Sequence, residues 1–360
     1  MQWLFLIILV PYIYLLIRIY KCLLKITSYH PGRNSEIFVS VVVACRNEEK
    51  NLPLLLSDIS GQTYRSDLFE LIIIDDNSED STFKIASGFS KIKNLKVLRN
   101  SGTGKKKAIR TGVEASAGTL VITTDADCRI GDNWLKTIVS FHDENKPEMI
   151  IGPVKIENGR GFFKRFQELE FLSLQGITAG TAVAGDPVMC NGANLAFQKE
   201  TYSDYAGDLH NELVSGDDVF LLHKMKSSQS NKIMWLESAE AMITTRASET
   251  LSSFMRQRAR WISKAGAYND KYSQVLAIVT FVTILVQLIL MICGLFFPGW
   301  LWVFAVFFVL KSIPDFLILY NSAMRYNETT LMKWFVPSQL IYPLYVLAVS
   351  LYSPQVRGSF

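Results

Sequence analysis

Leu71–Ser78 reads LIIIDDNS: four aliphatic residues without a polar break, then two carboxylates and two turn formers. A run that short and that apolar, closed by Asp and Asn, has the pattern of a strand buried on both faces. Similar runs recur on either side of it. Phe38–Ala44 is apolar and β-branched and passes into CRNEE; Leu120–Thr123 is apolar and passes into TTDADC. Between these runs, Leu52, Leu55, Leu56 and Ile59 fall at helical spacing, as do stretches from Thr82, Lys105–Ala115 and Trp134–Phe141. Strand and helix alternating over short links predict a parallel sheet covered by helices on both faces, an α/β fold. In such sheets ligands gather beyond the carboxyl ends of the strands, where this chain concentrates its acids.

Composition sets this central region apart from the ends. The chain has 360 residues, of which 49% are hydrophobic and 19% charged, too apolar for an ordinary soluble pair of domains. Trp3–Ile17 and Val275–Leu310 carry no charge, and the second run is broken only by Pro298-Gly299, which predicts a helical hairpin. Phe335–Tyr352, with Pro337 and Pro343, is a third apolar stretch. The first run reads as an uncleaved anchor rather than a signal peptide, since no basic residue precedes it and no small-residue cleavage site follows.

The expected organisation is an anchor over 1–25, a central domain over 26–273 whose amphipathic segments are either core helices or helices in the bilayer interface, and about three spans over 274–360. Arg18, Lys21, Lys25, Lys264, Lys271, Arg325 and Lys333 flank the apolar runs. They are either snorkelling side chains or the positive-inside signal of a bacterial-type plasma membrane whose cytoplasmic side carries the central region. A net charge of +4 is better explained by lipid headgroups than by nucleic acid. Five scattered cysteines argue against disulfides and zinc.

Five groups of residues can carry chemistry. Asp125 and Asp127 are two apart; if the strand continues through them they share a side, and two neighbouring carboxylates suit Mg²⁺ or Mn²⁺ completed by water and phosphate, or else cap a turn. Asp75 and Asp76 form a second acidic strand end, where Ser78 or Ser81 also suits a helix cap. In SGTGKKKAIRTG, G-K-K replaces the G-K-[ST] of a P-loop and Arg99 stands where its first glycine belongs, but lysines opening a helix can still meet a diphosphate. Asp217 and Asp218 open a helical run, as dipole-stabilising acids or as a general base. Gln257, Arg260 and Trp261 fall on one helix face, as a phosphate clamp with an indole wall or as an interfacial tryptophan beside snorkelling arginines.

The ordered set VVVACRNEE, LIIIDDNS, GKKKAIRTG, TTDADC, CNGANLAF, SGDDVF and QRARW resembles the membrane-integrated family 2 glycosyltransferases with a GT-A catalytic domain. The resemblance leans towards the cellulose, hyaluronan and poly-N-acetylglucosamine synthase branch. It implies a GT-A nucleotide-diphospho-sugar transferase fold, a mostly parallel sheet with helices on both faces plus transmembrane helices. It also implies a nucleotide-sugar donor, a UDP-sugar first, and a glycan or lipid-linked acceptor. By resemblance, Ala44, Glu48 and Asp76 hold base and ribose, and Lys107 or Lys106 approaches the diphosphate. Asp125 and Asp127 are the D-x-D, with Asp127 the direct metal ligand. Asp218 is the base, with Asp217 beside it in the substrate set, while Gln257, Arg260 and Trp261 close on the diphosphate. Three departures stand out: Ser-Gly-Asp-Asp for Thr-Glu-Asp, Arg46 beside the Asn-Glu pair where tyrosine is usual, and no gating-loop segment after Trp261. The alternatives are a single-sugar transferase to a polyprenyl-phosphate or lipid acceptor and, in another class, an idle nucleotide-binding scaffold.

Overall fold

A computed structural model describes residues 2–32, 35–208, 216–229 and 232–353. Two compact units emerge, one of Ile26–Glu157 with Gly185–Arg246, the other of Met1–Lys25, Asn158–Ala184 and Ala247–Phe360. The expected block 26–273 is therefore divided, because 158–184 and 247–273 cluster with the apolar helices rather than with the sheet. Residues 354–360 lie outside the described ones.

The first unit is a seven-stranded mixed sheet. Its strands are β1 (Val39–Cys45), β2 (Phe69–Asp75), β3 (Leu95–Arg99), β4 (Leu120–Asp125), β5 (Met149–Ile151), β7 (Leu195–Gln198) and β8 (Ile233–Trp235), in the order β3-β2-β1-β4-β7-β5-β8. A separate parallel pair joins β6 (Val154–Ile156) to β9 (Ile243–Thr245). β1 runs parallel to β2 and β4, and β2 to β3, whereas β7 is antiparallel to both β4 and β5. β2 is buried along its whole length, and in β1 and β4 only Ala44 and Asp125 are less than buried, as expected for strands covered on both faces.

This register fixes the site. Ala44 lies opposite both Ile74 and Asp125, so the acidic ends of β2 and β4 flank the carboxyl end of β1. The helix Lys105–Ala115 packs over β1 and β2, which carries its lysine-rich first turn to the same edge.

Among the described residues, four helices are long and apolar enough to cross a membrane: Trp3–Leu23, Lys271–Phe296, Pro298–Arg325 and Thr329–Tyr352. The predicted hairpin is thus a helix ending at Phe296 and another starting at Pro298, and the stretch with two prolines is helical from Phe335. Polar groups tie these helices together. Buried Lys311 meets Asp315 Oδ2 at 2.8 Å and Gln339 Oε1 at 2.6 Å, and the Tyr12 hydroxyl donates to Asp315 Oδ1 at 2.6 Å. Buried away from water, such groups must find partners among themselves, so they hold the helices together. The amphipathic helix Phe162–Val183 adds a small-residue face. A Cβ at Gly180 would stand 2.5 Å from Ile19 Cγ2, so hydrogen there is what permits the contact.

Candidate active site

β4 stops at Asp125, and the next residues turn: the Cys128 N–H donates to the Asp125 carbonyl at 3.1 Å. Period-2 geometry therefore ends two residues too soon to relate Asp125 to Asp127, and the turn does it instead. Asp127 has its carboxyl pKa held above the ordinary aspartate value by burial, then by the Asp125 charge, with Lys105 opposing. The turn is anchored by Arg129, which grips Asp58 through two bonds of 2.6 and 2.8 Å and pairs its backbone with Thr244.

The lysine cluster resolves into three different environments. Lys105 Nζ donates to Asp125 Oδ1. Lys106 is buried, its ammonium 5.5 Å from the centre of the Phe220 ring. Lys107, the first choice from the sequence, folds back along the loop: a Cβ at Gly102 would stand 2.6 Å from Lys107 Cδ. Desolvation works against the charge on Lys105, but Asp125, Asp217 and Asp218 together raise its pKa above the usual lysine value. Spacing within K-K-K does not show which lysine faces the acids; the phase of the helix on the sheet does.

Asp76 is largely committed to the protein. Its carboxylate accepts Asn100 Nδ2 at 2.6 Å and the Gly104 N–H at 2.9 Å on each oxygen. Gly104 has φ of +96°, a conformation suited to glycine, and is the residue from which the lysine helix starts. Asp76 thus seats the lysine helix, and the lone pairs left over are what a ribose could use. In the neighbouring turn, Asp80 rather than Ser78 or Ser81 serves Thr82, accepting its N–H at 2.9 Å. The Ser78 hydroxyl accepts the Asn47 N–H at 3.0 Å instead.

Glu48 is half-buried, its N–H given to Thr82 Oγ1 at 2.7 Å and its carboxylate accepting Asn51 Nδ2 at 2.8 Å. Burial raises its pKa, with Asp127, Asp125 and Asp80 adding to the effect against the Asn51 bond. The Cys45 thiol beneath is pushed up to about 12 by burial and by Asp75, Glu48, Asp80 and Asp76, which marks it as an unreactive thiol.

Asp217 and Asp218 open the helix Asp217–Gln229. Asp218 is held from outside its helix: Oδ2 accepts the Gly192 N–H at 3.0 Å while Oδ1 accepts the Val219 N–H at 2.9 Å. The Gly192 carbonyl in turn accepts the Thr123 hydroxyl at 2.6 Å, so β4 and Asp218 are joined through one glycine. Sequence reasoning missed Thr123 and Gly192; the signal was CNGANLAF, whose Gly-Ala-Asn forms a short 3-10 turn before β7. Asp217 has its pKa raised by burial and by Asp218, against the pull of Lys105.

In the helical unit, Gln257, Arg260 and Trp261 lie on the helix Leu251–Ser263, which Thr250 starts with a reciprocal Thr250–Ser253 cap. Burial and Arg256 lower the Arg260 pKa.

Residues 40–205 match the family model described as glycosyl transferase family 2. This stretch of the chain is similar to the family 2 glycosyltransferases. Curated relatives of the domain include Glycosyltransferase AglE of Haloferax volcanii, 29% identical over 186 residues, covering 51% of this chain and 59% of the relative. The poly-beta-1,6-N-acetyl-D-glucosamine synthase of Staphylococcus epidermidis is 26% identical over 226 residues, covering 62% of this chain and 53% of that protein. The chain thus spans little more than half the length of these relatives. Among solved structures, a mannosyltransferase from Pyrobaculum calidifontis in complex with GDP-Man and Mn2+ has the same fold. It is 16% identical, with a TM-score of 0.64 over 98% of this chain and 99% of that one.

The acids at the carboxyl edge of the sheet form a donor set that suits a hard divalent cation. Among the described residues no three His, Cys, Asp or Glu gather as a metal site. A cation here would take its protein ligands from Asp125 and Asp127 and the remainder from water and phosphate, which fits Mg²⁺ or Mn²⁺ and not zinc.

Proposed function

We propose that this chain is an inverting, metal-dependent glycosyltransferase. It would move a sugar from a nucleotide-diphospho-sugar, a UDP-sugar first, to a membrane-associated glycan or lipid acceptor in cell-envelope or extracellular polysaccharide synthesis. The observation that carries the proposal is the junction at Gly192, which fixes the Asp218 carboxylate against the strand that ends in Asp125.

In this reading Asp218 accepts the proton of an acceptor hydroxyl as that oxygen bonds to the anomeric carbon. The bond from that carbon to the diphosphate oxygen breaks on the opposite side, and its electron pair leaves with the nucleoside diphosphate. Lys105 exchanges its Asp125 partner for a phosphate oxygen, and Gln257, Arg260 and Trp261 bind the departing diphosphate. Asp127 and Asp125 would hold a divalent ion, whose charge would help neutralise the leaving group. Glu48, Ala44 and Asp76 border base and ribose. The basic residues beside the apolar runs support a reading with the domain on the cytoplasmic face and the apolar helices in the bilayer.

The test uses detergent-purified full chain with Mn²⁺, membrane lipid extract and a panel including UDP-GlcNAc, UDP-glucose and GDP-mannose, reading nucleoside diphosphate release. Asp218→Asn should lose about 10²–10⁴-fold in turnover. Unchanged turnover in that variant removes the base assignment, and full activity in EDTA removes the metal. No release with any donor leaves the scaffold reading. Product length on a gel separates single-sugar addition from polymer extrusion.

A further inference from the structure

The helix Leu251–Ser263 carries an arginine for which the proposed chemistry has no use. Arg258 is 4% exposed and every nitrogen of its guanidinium has a partner. Nε donates to Glu170 Oε1 at 2.9 Å, Nη2 to Glu170 Oε2 at 2.6 Å, and Nη1 to Gln257 Oε1 at 2.6 Å. Its carbon centre lies 4.1 Å from the Trp261 ring centre and 4.7 Å from that of Phe254. Glu170, itself buried, also accepts the Tyr345 hydroxyl at 3.1 Å. Phe254 stacks on Tyr345 at 5.4 Å, and Phe171 closes on Trp261 at 6.4 Å.

A buried ion pair is an expensive way to gain stability, because desolving both charges offsets their attraction. What a bidentate pair does supply is direction: the planar fork accepts one orientation of the carboxylate and leaves one nitrogen pointing elsewhere. Here that nitrogen meets the Gln257 carboxamide. Arginine only donates, so the carboxamide atom 2.6 Å from Nη1 has to be the oxygen. The amide is thereby turned with its NH₂ away from Arg258.

We infer that Arg258 and Glu170 are positioning residues. They lock the Gln257 carboxamide with its NH₂ group presented and hold the Trp261 ring in place, so that this helix face offers only hydrogen-bond donors and recognises phosphate oxygens. Tyr345 steadies Glu170 in the same arrangement. The inference rests on the proposed donor for its ligand, a nucleoside diphosphate, but not for its geometry.

Two arms test it on the detergent-purified full chain. In the first, 5-fluorotryptophan labelling gives a ¹⁹F resonance for Trp261, assigned by its loss in Trp261→Phe. Arg258→Lys and Glu170→Gln should shift or broaden it, and Tyr345→Phe should do so less. In the second arm, UDP and GDP binding with Mn²⁺ is measured. Gln257→Glu keeps an oxygen for Arg258 but removes the donors, so it should bind at least about tenfold more weakly than Gln257→Ala. Arg258→Lys should weaken binding by a similar factor, with a thermal midpoint close to wild type in Glu170→Gln showing that folding survives.

Binding by Gln257→Glu equal to or tighter than by Gln257→Ala overturns the amide orientation. A Trp261 resonance unmoved in both Arg258→Lys and Glu170→Gln overturns the positioning role. If the wild-type chain binds neither nucleotide, the donor reading falls by itself, and the resonance arm still decides the inference.

Discussion

The Gly192 N–H donates to Asp218 Oδ2 at 3.0 Å, and a Cβ at Gly192 would stand 3.4 Å from that same oxygen. With the Thr123 hydroxyl on the Gly192 carbonyl at 2.6 Å, the strand that delivers Asp125 also sets where Asp218 sits. Thr123→Val keeps the shape of the side chain and deletes the hydroxyl. It should lower kcat about tenfold, the cost of a misplaced base, with little change in the KM for donor. Thr123→Ser should restore the rate. A kcat unchanged in Thr123→Val rules out the link as a positioning device.

The lysines separate in the same way. Lys105 faces Asp125 and Lys107 lies against Gly102. Removing a charged donor from a developing leaving group costs on the order of 10²–10³ in rate, so Lys105→Ala should fall in that range and Lys107→Ala should stay within a few-fold of wild type. Steady-state nucleoside diphosphate release measures both. Equal losses, or a larger one in Lys107→Ala, return the role to Lys107.

How far the sequence carried this depends on what sort of fact was sought. Apolar runs such as LIIID and VVVAC betray buried parallel strands because burial on both faces leaves no room for polar residues, and the sheet follows. Helical spacing likewise places Gln257, Arg260 and Trp261 on one face. What spacing does not carry is anything set by tertiary phase. K-K-K is locally symmetric, and only packing on β1 and β2 turns Lys105 to the acids. D-A-D left open a continuing strand or a turn, and the structure uses a turn closed by Cys128. The antiparallel β7 was invisible because LAFQ is too short to show a direction, and the partnership of Arg258 with Glu170 spans 88 positions.

Gly180 offers a prediction independent of catalysis. Its place in the helix Phe162–Val183 is a close approach, where an added Cβ would stand 2.5 Å from Ile19 Cγ2 and 2.9 Å from the Ile19 carbonyl oxygen. Neither atom is the free end of a flexible chain, so the helices must separate, which costs about 1–3 kcal/mol. Gly180→Ala should therefore lower the thermal midpoint in detergent by several degrees, and Gly180→Val by more. A midpoint within one degree of wild type for both would show that the helix shifts without cost.

The acids also predict a pH dependence. In the metal-free protein Asp127 and Asp217 hold their protons more tightly when folded than in the unfolded chain, where the ordinary aspartate value of 3.8 applies. Between that value and the raised one the folded state binds more protons, so stability falls as pH rises through this window and stays low above it. The destabilisation is absent below the unfolded value. Asp127→Asn removes a charge that burial and Asp125 oppose, so in EDTA it should melt higher than wild type at pH 7.5, by roughly 2–4 °C for each kcal/mol recovered. The gap should narrow as pH falls towards the unfolded value of 3.8 and the wild-type carboxyl takes up its proton. Mn²⁺ with UDP should reverse the order at pH 7.5, because only the wild type gains from the cation. Asp127→Asn melting below wild type in EDTA at pH 7.5 would mean that the carboxylate is stabilised by the fold, and that the strand-end acids are not held there against their own repulsion.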